Sequence, residues 1–384
     1  MNNKVLLDQL KEWRQHLHTF PETEFEEFKT AEFVAHKLKE MGYEVHENIG
    51  QTGVVGSLTK GNSSRSIGLR AEMDALNITE LTELPYASNI KGKMHACGHD
   101  GHVVNALGAA KLISEELSFD GTVRFIFQPA EEHGQGAIAM IQDGLFERFP
   151  IDEIYGLHNM PQINLGEFHS KVGEIMASED NFKITINGKG GHSSQPHLGN
   201  DPLVIAAEII LSLQTIVARK ISPTDTAVVS CTDIQTDGIV NAIPSCVTIT
   251  GDCRTYKKEV QLLIENSIKS ISEKICEAHN AQCEVSYVNS FTPTINSEDC
   301  HNTAVKAAKQ IVGSSKVNNA TEPLMSSEDF GHFLEYVPGC FLFLGGRADK
   351  EDVYPLHHAK FDYKDDNLIL AAKFFTEIVR LKLT

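Results

Sequence analysis

Thr122-Val-Arg-Phe-Ile-Phe127, followed at once by Gln128-Pro-Ala-Glu131-Glu132, decides the fold. The first six residues are β-branched or aromatic around one arginine, the pattern of a strand buried on both faces. Two adjacent carboxylates just past its carboxyl end stand where open α/β sheets place their sites. One of the pair can bind a metal while its neighbour, displaced by one residue, stays available as a base. Upstream, residues 106–117 read as a helix. Residues 5–18 carry Leu6, Leu7, Leu10, Trp13 and Leu17 at helical spacing, and residues 28–41 repeat that pattern before Gly42, a helix stop. Short β-type runs at 43–45, 54–58 and 67–69 lie between. Helices interleaved with short apolar strands predict an α/β fold, a mainly parallel sheet with helices on both faces.

The pattern changes near Ser178. Phe182-Lys-Ile-Thr-Ile and Cys246-Val-Thr-Ile-Thr-Gly-Asp-Cys alternate strictly, which marks strands with one wet face. Two long amphipathic segments, 202–218 and 259–278, accompany them. The expectation is an inserted α+β module, a four-stranded antiparallel sheet with two helices, over 178–290. The α/β style returns at 303–311, 340–344 and 368–381, so the main domain comprises 1–177 and 291–384.

Length and charge narrow the class. The 384 residues leave room for two or three domains. With 34 basic against 52 acidic residues, the net charge of −18 argues against a nucleic-acid partner, whose footprint would be basic. No run reaches the roughly 18 consecutive apolar residues that span a bilayer. The most apolar stretch, 202–213, is broken by Glu208. The N-terminus turns acidic within eight residues, at Asp8, and shows no small-residue cleavage site, so no signal peptide is expected. Eight scattered cysteines without a Cys-x-x-Cys pair suit reduced thiols, and a cytoplasmic protein is expected.

The densest chemistry lies in Met94-His95-Ala-Cys97-Gly-His99-Asp100-Gly-His102. A thiolate and an imidazole two apart can reach one ion if the backbone between them is extended, which Gly98 permits. Ile154-Tyr-Gly-Leu-His158 and Leu356-His357-His358 add two more coordinating residues at ends of predicted strands or turns. A Gly-x-Ser-x-Gly elbow and a phosphate loop are both missing.

Arg70-Ala-Glu-Met-Asp74-Ala-Leu, Met94–His102, Gln128-Pro-Ala-Glu-Glu132, Leu157-His-Asn-Met-Pro161, Gly190-Gly-His-Ser-Ser194 and Ser327-Glu-Asp-Phe330 occur in that order. Together they resemble the metal-dependent aminoacylase and carboxypeptidase family, in the branch of the hippurate and indole-acetyl-amino-acid hydrolases. The resemblance implies a pair of divalent ions, Zn foremost with Mn, Co or Ni as alternatives, held by Cys97, His99, Glu132, His158 and His357. It implies Glu131 as general base, Asp74 orienting a ligand imidazole, and His192 as the donor to the oxyanion. The inserted module would be a lid and dimerisation domain, giving a homodimer or homotetramer. Asn241 and Arg254 are the expected anchors for the free carboxylate of an N-acyl amino acid substrate. Glu72, Asn77 and His358-Ala359 depart from the family pattern, and His95 and His102 stay unassigned. The expected activity is amide hydrolysis of N-acyl amino acids. The alternatives are an N-acetyl-diaminopimelate deacetylase, a small dipeptidase or carboxypeptidase, and a ligand-binding relic.

Overall fold

The computed structural model describes residues 3–348 and 353–384, so Met1 and Asn2 of the N-terminal stretch lie outside the described residues. The chain divides into two units. One comprises Met1–Ile175, Ile295–Glu322 and Asp329–Thr384, and the other Met176–Thr294 with Pro323–Glu328. The return Pro323–Glu328 has no periodicity to mark it in the sequence. It joins the second unit through backbone bonds, in which the Ala177 amide donates to the carbonyls of Leu324 and Ser326 at 3.1 and 3.0 Å.

The first unit is built on an eight-stranded sheet. Its spatial order is Glu44–Ile49, Gly53–Lys60, Gly121–Gln128, Ser66–Glu72, Glu153–Asn164, Gly339–Arg347, Phe168–His169 and Val317–Asn318. The four central strands are parallel, but both flanks contain antiparallel pairs, so the sheet is mixed rather than mainly parallel. The cause on one flank is a tight turn. Gly50 and Gln51 at φ 61° and 82° send the chain straight back, and no crossover helix intervenes.

The parallel centre sets up the site. Glu72 is in register with Gln128, and Arg70 with Gly156. Asp74, the Glu131–Glu132 pair and His158 therefore leave three neighbouring strands at one carboxyl edge. The helix His99–Glu116 begins at that edge and is buried along most of its length. It starts seven residues before the expected 106. Helices Asn3–Thr19 and Asp366–Leu383 pack on it, and Gly101 lets Tyr363 approach so closely that a Cβ would lie 2.5 Å from the ring.

The second unit has its own core. Strands Ala227–Thr236, Cys246–Thr255, Glu179–Asn187 and Gln282–Phe291 form an antiparallel sheet. Helices Pro202–Thr215 and Lys258–Ala278 bury Ile205, Ile209, Leu213, Ile264 and Ile268 with Ile184, Ile186 and Ile249 of the sheet. The segment Pro202–Lys220 is long and apolar enough, by length and composition, to cross a membrane. Counting only consecutive apolar residues overlooked it, because Glu208 and Gln214 interrupt the run. One face of this helix belongs to the unit's core, whereas Leu203, Val204 and Leu211 are exposed.

A buried charge network ties the first helix to the long buried one. Arg14 and His18 lie on the apolar stripe of Asn3–Thr19, one turn apart, and both are buried. Arg14 binds Asp100 at 3.1 Å and Asp365 at 2.5 Å. His18 binds Asp100 through Nδ1 at 2.9 Å and Glu80 through Nε2 at 3.2 Å. Burial lowers the His18 pKa, but the hydrogen bonds to Asp100 and Glu80 outweigh it and raise it to about 9. A folded-state value above the unfolded one stabilises fully below pH ~6.5, and the contribution disappears as pH rises through ~9. The shift corresponds to roughly 3 kcal/mol. Resistance of the first unit to denaturant is expected to weaken as pH rises between those values, and His18→Gln should flatten that slope. Parallel profiles for both proteins would disprove the linkage.

Candidate metal centre

Cys97 and His99 flank Gly98, which caps the buried helix at φ 95°. The path between them is thus a left-handed kink, not the extended backbone expected, and the kink needs glycine. A Cβ at Gly98 would also lie 2.4 Å from the Asn159 side chain. The kink places Cys97 Sγ 3.4 Å from His158 Nε2. His158 Nδ1 donates to the Asn159 carbonyl at 2.7 Å, which leaves its Nε2 lone pair facing the thiol.

Asp74 arranges the opposite side. Its Oδ1 accepts from His99 Nδ1 at 3.1 Å, and its Oδ2 accepts the Glu132 amide at 3.0 Å. His99 Nδ1 also faces the Asp74 carbonyl at 2.9 Å. His99 Nε2 then lies 3.9 Å from both Glu131 Oε2 and Glu132 Oε1. His357, at φ 63°, is anchored by its amide to the Ala96 carbonyl at 2.9 Å. Its Nε2 reaches Glu132 Oε2 at 3.3 Å. His358 turns the other way, accepting the Lys360 amide and stacking on Tyr354.

These atoms fit a metal centre. His99 Nε2 and Glu132 Oε1 are buried and have no hydrogen-bond partner among the described residues. Buried polar atoms are rarely left so, and a cation satisfies both. Ligand atoms bound at about 2.0–2.3 Å stand roughly 3–4 Å apart, as these do. Cys97, His99 and His158 form one cluster of converging donors, and Cys97, Glu132 and His357 form another, with Cys97 common to both.

The charges agree with that use. Burial and the carboxylates of Glu132 and Glu131 push the Cys97 thiol well up. Burial and the nearby His102 hold His158 down at about 3, so it is neutral and can donate its lone pair. Burial opposes the charge on His99, but Asp74 raises it to about 10. Glu132 is likewise opposed by burial, yet the hydrogen bond from His357 and the charge of His99 hold it at about 2.

The family model described as peptidase family M20/M25/M40 matches residues 68–381. The chain belongs to that family. It is 41% identical to a hippurate hydrolase of Campylobacter jejuni over 95% of this chain and 94% of that one. It is 38% identical to an N-acetyl-L-cysteine deacetylase of Bacillus subtilis, over 98% and 89%. Among solved structures, the Bacillus subtilis YXEP protein, described as a dinuclear metal binding peptidase of the M20 family, superposes with a TM-score of 0.85. It shares 32% identity and covers 99% of each chain.

In this M20 chain the remaining sequence candidates lie in the second unit. His192 pairs with Ala242 on a two-stranded ribbon, and the Asn241 carbonyl accepts the Ser193 amide at 3.1 Å. His192 is exposed, and its Nδ1 accepts the Ser194 amide at 3.2 Å, which assigns its proton to Nε2. Arg254 is already engaged by carboxylates. Its Nε meets Asp252 at 3.0 Å, Nη2 meets Glu179 at 2.9 Å and Nη1 meets Ser327 Oγ at 3.2 Å.

Of the two unassigned histidines, His102 donates Nδ1–H to Glu72 at 2.8 Å and accepts the Asn159 amide on Nε2 at 3.1 Å. His95 is buried, and neither ring nitrogen has a hydrogen-bond partner among the described residues. Sequence reasoning missed the supports beneath the site. Arg70 binds Glu72, Gln128 and Asp329, and Arg14 binds Asp100. For Arg14 a signal existed, a cation on the apolar stripe of a helix.

Because Cys97 and His99 carry protons in the metal-free protein, binding a divalent ion must release them. Zinc affinity should rise with pH, by about tenfold per unit for each proton displaced. Calorimetry in buffers of different ionisation enthalpy counts the protons. Cys97→Ala should lower the count by about one and weaken binding. An unchanged count would exclude Cys97 as a ligand.

Proposed function

We propose that this M20 chain hydrolyses the amide bond of N-acyl amino acids, releasing a carboxylic acid and a free amino acid. The observation that carries this reading is the pairing of Glu132, turned to His357, with the buried Glu131 beside it, each 3.9 Å from His99 Nε2. A ligand-binding relic has no need of a second carboxylate at that position.

Cys97, His99, Glu132, His158 and His357 would hold two divalent ions, a reading supported by Cys97's membership in both donor clusters. Ions bound there supply Lewis-acid polarisation of the amide carbonyl and acidify water toward a pKa of ~7. Zinc suits the thiolate and imidazole set, as Mn, Co or Ni also would.

Glu131 removes the proton from the attacking water and returns it to the departing amine. Asp74 keeps the His99 ring in the tautomer whose Nε2 faces the site. His192, with its proton on Nε2, donates to the oxyanion of the tetrahedral intermediate, either in its own chain or across a dimer. The second unit then serves as lid and dimer surface. Asn241 beside His192 takes the substrate carboxylate. Arg254 is the weaker candidate for that task, since Glu179 and Asp252 already neutralise its guanidinium.

The hippurate hydrolase and N-acetyl-L-cysteine deacetylase relatives direct the choice of substrates. Hippurate, N-acetylcysteine, N-acetyl-diaminopimelate and a dipeptide should be tried in parallel with the zinc- and manganese-loaded protein. Turnover of an N-acyl amino acid well above the dipeptide supports the reading, and dipeptide preference overturns it. Glu131→Gln should lower kcat by roughly 10²–10⁴-fold while metal content stays at the wild-type level. Wild-type kcat in that variant would remove Glu131 from the base role.

A further inference from the structure

Glu27 is a fully buried carboxylate at the N-cap of helix Phe28–Glu40, yet its side chain makes no cap bond there. Glu22 does that work instead, accepting the Lys29 and Thr30 amides at 3.2 and 2.9 Å and the Thr30 hydroxyl at 3.0 Å. Glu27 reaches across the unit. Its Oε2 accepts the Thr52 hydroxyl at 2.6 Å, and its Oε1 accepts the Ala130 amide at 2.9 Å. Ala130 is the residue before Glu131, and it sits in the left-handed region at φ 47° and ψ 42°. A residue with a Cβ is disfavoured there. Burying a carboxylate is also costly unless its hydrogen bonds are made, and Glu27 makes one of its two to this turn and the other to Thr52. The turn is thus held at one end by Glu27 and at the other by Asp74, through the Glu132 amide.

We infer that Glu27 is a positioning residue, whose carboxylate fixes the left-handed turn at Ala130 and so aims Glu131 and Glu132 into the metal centre. Residue 27 lies outside the segment matched by the family model, 68–381. The inference rests on the reading of Glu131 as base and Glu132 as ligand.

The test compares wild type, Glu27→Ala, Glu27→Gln and Glu131→Gln by circular dichroism, by kcat and KM, and by cobalt(II) titration of the metal-free proteins followed in visible absorption. Glutamine can still accept the Ala130 amide and donate to Thr52, so Glu27→Gln should stay within about threefold of wild type. Folded Glu27→Ala should lose about 10–100-fold in kcat and in cobalt affinity, with KM little changed. Adding Ala130→Gly to Glu27→Ala should restore at least threefold, because glycine adopts the turn unaided. A folded Glu27→Ala with wild-type kcat and cobalt affinity, beside an inactive Glu131→Gln, overturns the positioning role alone. A fully active Glu131→Gln overturns the reading beneath it, and this inference falls with it. If Glu27→Ala does not fold, Thr52→Val decides. A several-fold drop in kcat supports the role, and an unchanged kcat refutes it.

Discussion

One carboxylate holds the two halves of the centre together. Asp74 gives Oδ1 to the His99 ring and Oδ2 to the Glu132 amide. It thereby fixes His99 on the buried helix against Glu132 on the turn after a central strand. Asp74 can do this only because the strands Ser66–Glu72 and Gly121–Gln128 are parallel and end in register. The helix starting at His99 completes the arrangement, since its first residue has to lie at that edge of the sheet.

The cost of such a centre is buried charge, and the fold offsets it with paired networks. Arg14 and His18 secure Asp100, immediately next to His99, and Arg70 joins Glu72, Gln128 and Asp329 beneath the strand ends. Removing one member of a buried pair typically costs about 3–5 kcal/mol, because the other charge is left uncompensated. Glu72 links this network to the neighbourhood of His158. Its carboxylate bonds both Arg70 and His102, and His102 in turn accepts the amide of Asn159, next to His158. These networks restrain the segments of His99 and His158 from behind, so their side chains are held in place by the surrounding protein.

The second unit has a separate logic. Its core is isoleucine-rich packing of two helices on an antiparallel sheet. Its candidate groups ride on a short ribbon, Gly191–His192 against Ala242–Ile243. A histidine whose Nδ1 is satisfied locally presents its other nitrogen as a donor, and the amide and hydroxyl of Ser194 secure that. Arg254 illustrates the opposite case, a cation that looks available in the sequence but is taken up by carboxylates two and many residues away.

By itself the sequence determined the element types, the change of style near residue 178, and where the candidate ligands stand after the apolar strands. Those features follow from periodicity and composition over short windows, which local physics controls. It could not determine the antiparallel flanks of the main sheet, the early start of the helix at His99 or the left-handed kink at Gly98, because each depends on which strand or side chain lies alongside. Only the tertiary structure showed that Glu27 bonds Ala130 rather than its own helix, and that Arg254 is occupied. A hydrogen bond between residues a hundred positions apart leaves no local pattern, since its geometry exists only once the sheet has brought the partners together.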